Sequence, residues 1–330
     1  MFSKDIGIDL GTANVLIYIK GQGVVINEPS VVAINSSSNK ILAVGQDAYE
    51  MIGKTPGKIK AIKPLKDGVI ADFEITEAML NYFLKKTKSI GFFKRPRILI
   101  CCPADVTNVE KTAIKEAAEK LGAKKVFVEE EPKIAALGAG LDISLPSGCM
   151  VVDIGGGTTD IAVLSLGDIV TSASIKIAGN ALDNDIVKYI KEEYKLLIGE
   201  KSAEEIKIKI GTVNLDKKEK KYNVSGRDIV TGLPKTKYVS SKEIEKAISN
   251  SIDIIIKTVK NVLEATPPEL ASDIIKNGII LTGGGSLLDG LDYLLNKELK
   301  INVIVAENAL TCIAIGTGKM LENLELVEEN

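Results

Sequence analysis

The sequence predicts an α/β protein built from two related lobes, and three observations support this fold class. Strand and helix patterns alternate along the whole chain of 330 residues. An apolar strand that turns on glycine and returns as a second strand occurs twice, as "DIGIDLGTAN" at 5–14 and as "VVDIGGGTTD" at 151–160. No Pro/Gly/Ser-rich or low-complexity segment separates the two copies. An internal repeat of this kind predicts two similar units that face each other.

In the first half, the remaining elements follow from periodicity and helix-end signals. The segment "RILICCP" at 97–103 is an apolar run typical of a buried strand, and "KVFVEE" predicts another. Helical periodicity predicts helices at 76–89 and at 107–122. Pro132 is expected to open a third helix made of small residues.

In the second half, the predicted elements repeat the same alternation. They are, in order, a strand pair around a glycine turn at 149–167, helices at 181–198 and 202–210, hairpins over 212–239, a helix at 241–265 and a strand–turn–helix unit at 278–295. Ser202 and Glu205 predict a capping box in the second of these helices, and Ser240 and Glu243 predict one at the start of the longest.

Composition excludes several classes of function. A net charge of −2 argues against a general nucleic-acid binder, so no nucleic-acid partner is expected. The chain has no histidine, which excludes Ser-His-Asp, Cys-His and H-E-x-x-H chemistry. The four cysteines form no C-x-x-C pair and are expected to be buried, reduced thiols. The N-terminus enters a strand pattern at once, so no signal peptide is expected, and no apolar run reaches the ~18 residues of a spanning helix.

The glycine turns predict phosphate binding. Glycine lets backbone N–H groups approach a phosphate without a Cβ in the way, and Thr12, Thr158 and Thr159 add hydroxyl donors. Asp9 and Asp153 precede the two turns. Phosphate is itself anionic, so paired carboxylates there imply a bridging Mg²⁺ held through waters. A third turn, "LTGGGS", strengthens the prediction, while a Walker A loop and a strand-following G-x-G-x-x-G are both missing from the sequence.

These motifs carry a family resemblance. "DIGIDLGTAN", "VVDIGGGTTD" and "ILTGGGSLLDGL" resemble the phosphate-1, phosphate-2 and adenosine motifs of the actin, heat-shock chaperone and sugar-kinase ATPase superfamily. "EEEPKIAALGAGL" and "CIAIGTGKML" resemble its two connecting helices. Within that superfamily, "NEPSVVAI", "KPLKDGVIADFEITEAML", "YKLLIGE" and "RDIVTGLPKT" resemble the MreB/Mbl family of bacterial actins, and its Mbl branch more than its MreB branch. The similarity runs from residue 2 to about residue 322.

The resemblance implies an actin-like ATPase fold of the ribonuclease H-like type. Two lobes, each with a small inserted subdomain, would enclose an interlobe nucleotide cleft. The implied limits are 1–32, 66–141 and 314–330 for subdomain IA, 33–65 for IB, 142–181 and 246–313 for IIA, and 182–245 for IIB.

The resemblance also implies the cofactors, ATP or ADP with Mg²⁺, and the residues that bind them. The implied nucleotide-binding residues are Gly11, Thr12, Ala13, Asn14, Gly155, Gly156, Gly157, Thr158, Thr159, Gly179, Asp183, Glu204, Lys207, Gly283, Gly284 and Gly285. Among them Glu204 would contact the ribose and Lys207 the adenine. Two positions depart from common family usage, with Asp at 160 where Glu is frequent and Ala at 178 where Gly is frequent.

Hydrolysis needs a group that orients the attacking water, and the catalytic candidates are Glu131 and Thr158. From the residues alone, Glu131 has two interpretations, because a carboxylate at a helix N-terminus also favours the helix dipole by ~0.3–1 kcal/mol. The resemblance favours the catalytic interpretation. Glu129 and Glu130 are the alternatives on the same segment.

Several functions share such an ATPase core. The resemblance implies a weak ATPase that polymerises into double antiparallel filaments. It also implies that these filaments direct cell shape by organising cell-wall synthesis. The alternatives are an FtsA-like division ATPase, a chaperone-type ATPase domain and a small-molecule kinase or phosphatase. No peptide-binding domain is expected after the last connecting helix, unlike in a chaperone. FtsA has an amphipathic C-terminal tail, whereas the tail here, "ENLELVEEN", is acidic and would be repelled by anionic lipid, so the filament hypothesis is preferred.

A basic segment with two aromatic residues, "KKTKSIGFFKRPR" at 85–97, predicts a membrane contact. Phe92 and Phe93 would insert between headgroups, with Lys94 and Arg95 beside anionic lipid. The alternative is that both rings pack under the helix predicted at 76–89. The family also implies a cytoplasmic, peripheral location on the inner face of the membrane, self-association, and RodZ and MreC/MreD-type elongation proteins as partners.

Overall fold

The computed structural model describes residues 5–89, 95–102 and 106–328, with the side chains of Glu110 and of 323–328 left aside. The strands in this part of the chain are β1 Ile6–Leu10, β2 Asn14–Ile19, β3 Gly23–Pro29, β4 Val32–Asn35, β5 Ile41–Val44, β6 Ile59–Ile62, β7 Leu65–Lys66, β8 Val69–Ile70, β9 Arg97–Cys102, β10 Lys125–Glu130, β11 Cys149–Ile154, β12 Thr159–Ser165, β13 Asp168–Ile175, β14 Leu196–Leu197, β15 Lys221–Asp228, β16 Pro234–Ser240, β17 Ile279–Thr282 and β18 Val303–Val305. The helices are α1 Gln46–Glu50, α2 Phe73–Lys86, α3 Asn108–Lys120, α4 Glu131–Gly138, α5 Gly179–Tyr194, α6 Glu200–Ile210, α7 Ser241–Ala265, α8 Pro268–Asn277, α9 Leu291–Leu299 and α10 Cys312–Glu328.

Two five-stranded sheets share one topology. Their strand orders are β10-β9-β1-β2-β3 and β13-β12-β11-β17-β18. In each sheet the first three strands form an antiparallel meander, and the two later strands add in parallel beside the first. We call the units around them the first lobe (5–141 and 314–328) and the second lobe (142–313). The repeat predicted from the sequence is therefore confirmed, with β1, β2 and β9 equivalent to β11, β12 and β17.

The two glycine turns occupy equivalent places and have equal length. Leu10 pairs with Val15 across the first turn, and Ile154 pairs with Thr159 across the second. The turns are thus 11–14 and 155–158. Equal pairing registers place both turns at the same corner of their sheets, which is what the sequence repeat predicted.

The lobes are joined by a shared apolar core around α4 and α10. Ile134 and Ala135 from α4 pack with Val151 and Leu164 of the second sheet and with Leu99 of the first. The two helices approach closely because small residues line the contact. A methyl group on Gly138 would lie 1.8 Å from the carbonyl oxygen of Cys312. One on Gly316 would lie 2.0 Å from that of Ile134.

Each lobe carries a smaller sheet. In the first lobe, β5, β4 and β6 form an antiparallel sheet beside α1. In the second lobe, β14, β15 and β16 form one beside α5 and α6. These positions lie within or at the edges of the segments 33–65 and 182–245, whose limits as subdomains stay a prediction.

Helix ends test the local sequence signals. The Ser240/Glu243 capping box is present at the start of α7, where Glu243 Oε2 accepts from the Ser240 backbone N–H at 2.8 Å. The Ser202/Glu205 box is wrong: α6 begins at Glu200, and Glu205 Oε1 instead accepts from the Tyr222 hydroxyl at 2.6 Å. Because the helix begins two residues before Ser202, this serine lies inside the first turn and does not occupy the N-cap position.

Candidate functional site

A cavity of about 450 Å³ lies between the two lobes at the corner where the glycine turns meet. Nearly every residue predicted to bind nucleotide or metal, or to act in catalysis, lines it. Those residues are Asp9, Gly11, Thr12, Ala13, Asn14, Glu131, Asp153, Gly155, Gly156, Gly157, Thr158, Gly179, Asp183, Glu204, Lys207, Gly283, Gly284 and Gly285. The volume is within the range of small-molecule sites.

The two glycine turns contact each other across the interlobe gap. A methyl group on Gly156 would lie 2.5 Å from the Cβ of Ala13. One on Gly157 would lie 2.6 Å from the Thr12 hydroxyl oxygen. The glycines of the second turn therefore let the two turns approach closely, and such close approach is what backbone N–H groups need to surround a phosphate.

The third glycine turn lies directly against the second. Gly283 has a positive φ of 79°, and a methyl group there would lie 2.3 Å from the carbonyl oxygen of Ile154. No other residue type fits this position without moving the strand. The three turns thus form one continuous glycine-lined wall of the cavity.

Asp9 and Asp153 are buried beside the two glycine turns, 11–14 and 155–158. Burial, with the nearby Asp153 carboxylate, raises the pKa of Asp9 to about 8. Burial raises the pKa of Asp153 to about 7, with Asp160 adding to the shift and a 2.6 Å hydrogen bond from the Thr282 hydroxyl opposing it. Close buried carboxylates oppose each other's ionisation, so a cation beside them would be strongly favoured.

The oxygen donors fit Mg²⁺ held through water and phosphate. No cluster of three or more His, Cys, Asp or Glu side chains arranged to hold a metal directly is found among the described residues. Mg²⁺ usually keeps several waters and takes one or two carboxylates together with phosphate oxygens. Asp9 and Asp153 supply that number of carboxylates, and both line the cavity.

Glu131 is the first residue of α4 and lies at the cavity, only 6% exposed. Burial raises its pKa well above the usual range, and the carboxylates of Asp160, Asp9 and Asp153 add to the shift. A buried carboxyl group beside a phosphate pocket has the position expected of a group that orients water. The two alternative catalytic carboxylates, Glu129 and Glu130, do not line the cavity. Glu130 pairs with Lys111 at 3.2 Å, and Glu129 faces Lys133 at 3.8 Å.

Thr158 and Thr159 are adjacent in sequence, but Thr158 ends the second glycine turn and Thr159 begins β12. Thr158 lines the cavity. Thr159 is fully buried, does not line the cavity, and donates its hydroxyl to the carbonyl oxygen of Ile177 at 2.7 Å. This placement corrects the expectation that Thr159 contacts nucleotide. Thr158 belongs to the turn and Thr159 is the first residue of β12, whose buried side chain points away from the cavity.

At the far end of the cavity, Glu204 and Lys207 lie on α6. The Lys207 ammonium lies 2.9 Å from Asp183 Oδ1 and donates to the Gly179 carbonyl oxygen at 2.9 Å. Burial raises the pKa of Asp183 to about 6, while Lys207 opposes the shift. Glu204 Oε2 accepts from the Tyr49 hydroxyl of the first lobe at 2.5 Å.

Sequence reasoning missed an apolar part of the wall. Ile208, Leu287 and Leu310 line the cavity although they are 71%, 55% and 53% exposed. Exposed leucine or isoleucine next to a pocket suits the faces of a flat ring system. In the sequence, Ile208 directly follows Lys207 and Leu287 lies two residues after the third glycine turn, whereas Leu310 is far from both.

The predicted membrane segment is only partly described. Phe92, Phe93 and Lys94 lie outside the described residues, and Arg95 is exposed. Two of the six basic residues in this segment are engaged in ion pairs. Lys86 pairs with Glu28 at 2.6 Å, and the Arg97 guanidinium pairs with Asp5 at 2.6 Å, in a contact where both side chains are largely buried. In the described part of the chain, no helix combines the length and the apolar character needed to cross a membrane.

The chain is similar to known proteins over nearly its whole length. The family model described as MreB/Mbl protein matches residues 3–329. The cell shape-determining protein Mbl of Bacillus subtilis (strain 168) is 62% identical over 325 residues, covering 98% of each chain.

Two solved structures share the fold over the full length. The crystal structure of MreB5 of Spiroplasma citri bound to ADP superposes with a TM-score of 0.95 at 46% identity, covering 99% of this chain and 98% of that one. The same protein bound to AMPPNP gives a TM-score of 0.96 at 45% identity, covering 100% and 99%. The similarity includes both lobes and both small sheets.

Proposed function

The chain belongs to the MreB/Mbl family, has its actin-like ATPase fold, and on that premise we propose that it is an ATP-dependent, filament-forming cytoskeletal protein that helps to set cell shape. The observation that carries the proposal is the meeting of two equivalent glycine turns, one from each lobe, at a single cavity. A triphosphate held from both sides links the lobes, so its hydrolysis state can change their relative position. Nucleotide-bound MreB5 structures of the same fold support this proposal.

In this proposal the nucleotide lies along the cavity. Backbone N–H groups of 11–14 and 155–158 bind the β- and γ-phosphates, and the turn at Gly283–Gly285 passes beneath the adenosine. Glu204 accepts from the ribose hydroxyls, and Lys207 reaches the adenine. Mg²⁺ would neutralise phosphate charge, with Asp9 and Asp153 accepting hydrogen bonds from its waters.

Glu131 and Thr158 would act on the attacking water. The Glu131 carboxylate accepts a proton from that water or fixes its direction, and the Thr158 hydroxyl holds it on the other side. Burial raises the pKa of Glu131 well above its usual range, so the carboxyl group takes up a proton more readily than an exposed glutamate does. Since the turnover serves filament dynamics, we expect it to be slow.

The direct test combines binding and assembly. Purified protein with Mg²⁺ and ATP should bind a fluorescent ATP analogue and form sedimentable filaments visible by electron microscopy, while protein with EDTA should not. A protein that binds Mg-ATP and stays monomeric at tens of micromolar would overturn the filament part of the proposal. A protein that binds no nucleotide would overturn all of it.

Filament architecture and cellular role are finer parts of the same proposal. Head-to-tail contacts between subunits generate an open polymer, and we propose that two such strands associate antiparallel. The name of the Bacillus subtilis relative supports a role in cell shape. We propose further that this role is carried out through organised wall synthesis with RodZ and MreC/MreD-type partners. The family match favours this role over the FtsA-like and chaperone-type alternatives.

Attachment to the inner face of the cell membrane is proposed for Phe92, Phe93, Lys94 and Arg95. With Lys86 and Arg97 engaged in ion pairs, apolar insertion has to contribute more than charge. A fully inserted phenylalanine contributes ~1.5–3 kcal/mol, and a filament multiplies such weak sites. A double Phe92→Ser, Phe93→Ser variant should assemble but not pellet with anionic vesicles. Undiminished pelleting would place the anchor elsewhere.

A further inference from the structure

Contacts between α6 of the second lobe and two parts of the first lobe, α1 and the residue after β6, join the two lobes beside the cavity. The Tyr49 hydroxyl, on α1 of the first lobe, donates to Glu204 Oε2 on α6 of the second at 2.5 Å. The Lys201 ammonium lies 4.7 Å from the centre of the Tyr49 ring. Lys63 pairs with Glu200 at 3.0 Å. We call these five residues the clasp.

The contacts of the clasp differ in strength. The side chains of Lys63 and Glu200 are 36% and 60% exposed, and ion pairs in that setting contribute little. Tyr49 is half-buried, and its hydroxyl meets an ionised acceptor, a type of hydrogen bond stronger than a neutral one. Burial and the Glu204 hydrogen bond raise the pKa of Tyr49, so it stays a donor at physiological pH. The Tyr49–Glu204 bond is therefore the main connection.

Glu204 belongs to the clasp and to the cavity wall at once. An ionised carboxylate offers about four acceptor positions on two oxygens. It can therefore hold the tyrosine hydroxyl on Oε2 and a ligand hydroxyl on its other oxygen. Opening the lobes withdraws Tyr49 from Glu204, and with it the support that orients the carboxylate.

We propose that Tyr49 is a positioning residue that orients Glu204 for the sugar hydroxyls of the nucleotide and so ties nucleotide release to opening of the clasp. This inference rests on the proposed nucleotide site. Because coupling between two equilibria is reciprocal, bound nucleotide stabilises the closed clasp as much as the closed clasp retains the nucleotide. The first lobe thereby influences a sugar contact made by the second.

The chain offers a closely matched control for this bond. The Tyr222 hydroxyl donates to Glu205 Oε1 at 2.6 Å, on the same helix one residue further along. That bond joins β15 to α6 within the second lobe and does not connect the two lobes. Comparing the two tyrosines separates the loss of one hydroxyl from the loss of an interlobe connection.

The test is the release rate of a fluorescent ADP analogue, chased with excess ATP in the presence of Mg²⁺. Tyr49→Phe keeps the ring beneath Lys201 and removes only the hydroxyl. It should speed release by about 5- to 30-fold, whereas Tyr222→Phe should release at the wild-type rate. Thermal unfolding should shift little, and to a similar extent, in both. Wild-type release from Tyr49→Phe, or equal acceleration in both variants, would overturn the inference.

A second measurement keeps the inference testable if Tyr49→Phe binds nucleotide too weakly. Spin labels at Ser38→Cys and Lys218→Cys, both exposed, report the distance between the lobes, while the natural cysteines are buried. Labelled Tyr49→Phe should show a longer and broader distance distribution than the labelled parent. Identical distributions would rule out the clasp. Failure of the unmodified protein to bind nucleotide would instead count against the proposed site itself.

Discussion

The two lobes repeat one backbone plan but do not carry the same side chains. β1 and β11 both have an aspartate as their penultimate residue before a turn of equal length, and their sheets add strands in the same order. Opposite these aspartates the lobes differ: Asp9 pairs with Leu16, whereas Asp153 pairs with Asp160. The repeated backbone thus forms a symmetric cradle, and the divergent side chains make its chemistry one-sided.

The strands beside the two aspartates differ in the same way. Asp9 lies next to Cys101 on β9, whereas Asp153 lies next to Thr282 on β17 and accepts its hydroxyl at 2.6 Å. The helix after the last strand of the first sheet begins with Glu131, but α10, in the corresponding place after β18, begins with Cys312. The first lobe therefore supplies the catalytic carboxylate candidate, Glu131, and the second supplies the better-anchored aspartate.

The largest expected effect tests the chemical asymmetry. Glu131→Gln should retain ATP binding and lose about 10²–10⁴-fold in hydrolysis, the usual span for a positioned base. Single-turnover phosphate release measures it. Glu130→Gln is the matched control, because Glu130 pairs with Lys111 rather than lining the cavity, and it should hydrolyse ATP at nearly the wild-type rate. Equal losses would assign the effect to the helix N-terminus instead of to one carboxylate.

The symmetric part of the comparison is tested by Gly156→Ala. The added methyl group would lie 2.5 Å from the Ala13 Cβ, so the two turns must separate. An overpacking cost of ~1–3 kcal/mol corresponds to nucleotide affinity weaker by about 5- to 100-fold. Calorimetric titration with Mg-ATP measures it.

The control for this variant is Gly57→Ala, where a methyl group meets no atom within 4 Å. It should bind Mg-ATP as the unmodified protein does. Wild-type affinity in Gly156→Ala would mean that the contact between the turns is not needed to form the cradle.

The smallest expected effect concerns the anchored aspartate. Thr282→Val replaces a buried hydroxyl by a methyl group of similar size and leaves Asp153 without the Thr282 hydrogen bond. We expect the free energy of unfolding to fall by about 1–3 kcal/mol. The lost bond also lowered the pKa of Asp153, so the variant should need more Mg²⁺ for nucleotide binding. Urea denaturation and Mg²⁺ titration measure the two effects.

The control here is Thr258→Val, which removes a hydroxyl bonded to the Ile254 carbonyl oxygen of its own helix at 2.8 Å. It should lose less stability and keep the Mg²⁺ requirement unchanged. Similar Mg²⁺ titrations for both variants would show that Thr282 only packs.

Much of the site was predictable because its signals are local. Gly156, Gly157 and Gly283 are required by contacts too short for any side chain, and such turns leave a visible run of glycine in the sequence. The Ser240/Glu243 box was predictable for the same reason, since both partners lie within one helical turn.

Local signals predicted less where the packing of separate elements decides the contact. The Ser202/Glu205 capping box does not form because α6 begins at Glu200, and Glu205 Oε1 accepts from the Tyr222 hydroxyl of β15. Arg97, in the basic segment, pairs with Asp5, the residue before β1. Spacing along the chain identifies neither partner, since tertiary packing brings each of them close.

The sequence by itself determined the family, the two-lobed fold and the glycine cradle, because these depend on residue type and short spacing. Only the tertiary structure decided which of Thr158 and Thr159 faces the cavity, since that depends on the face that the strand presents. It alone joined Tyr49 to Glu204, 155 residues apart, because that contact exists only where the closed lobes bring α1 and α6 together.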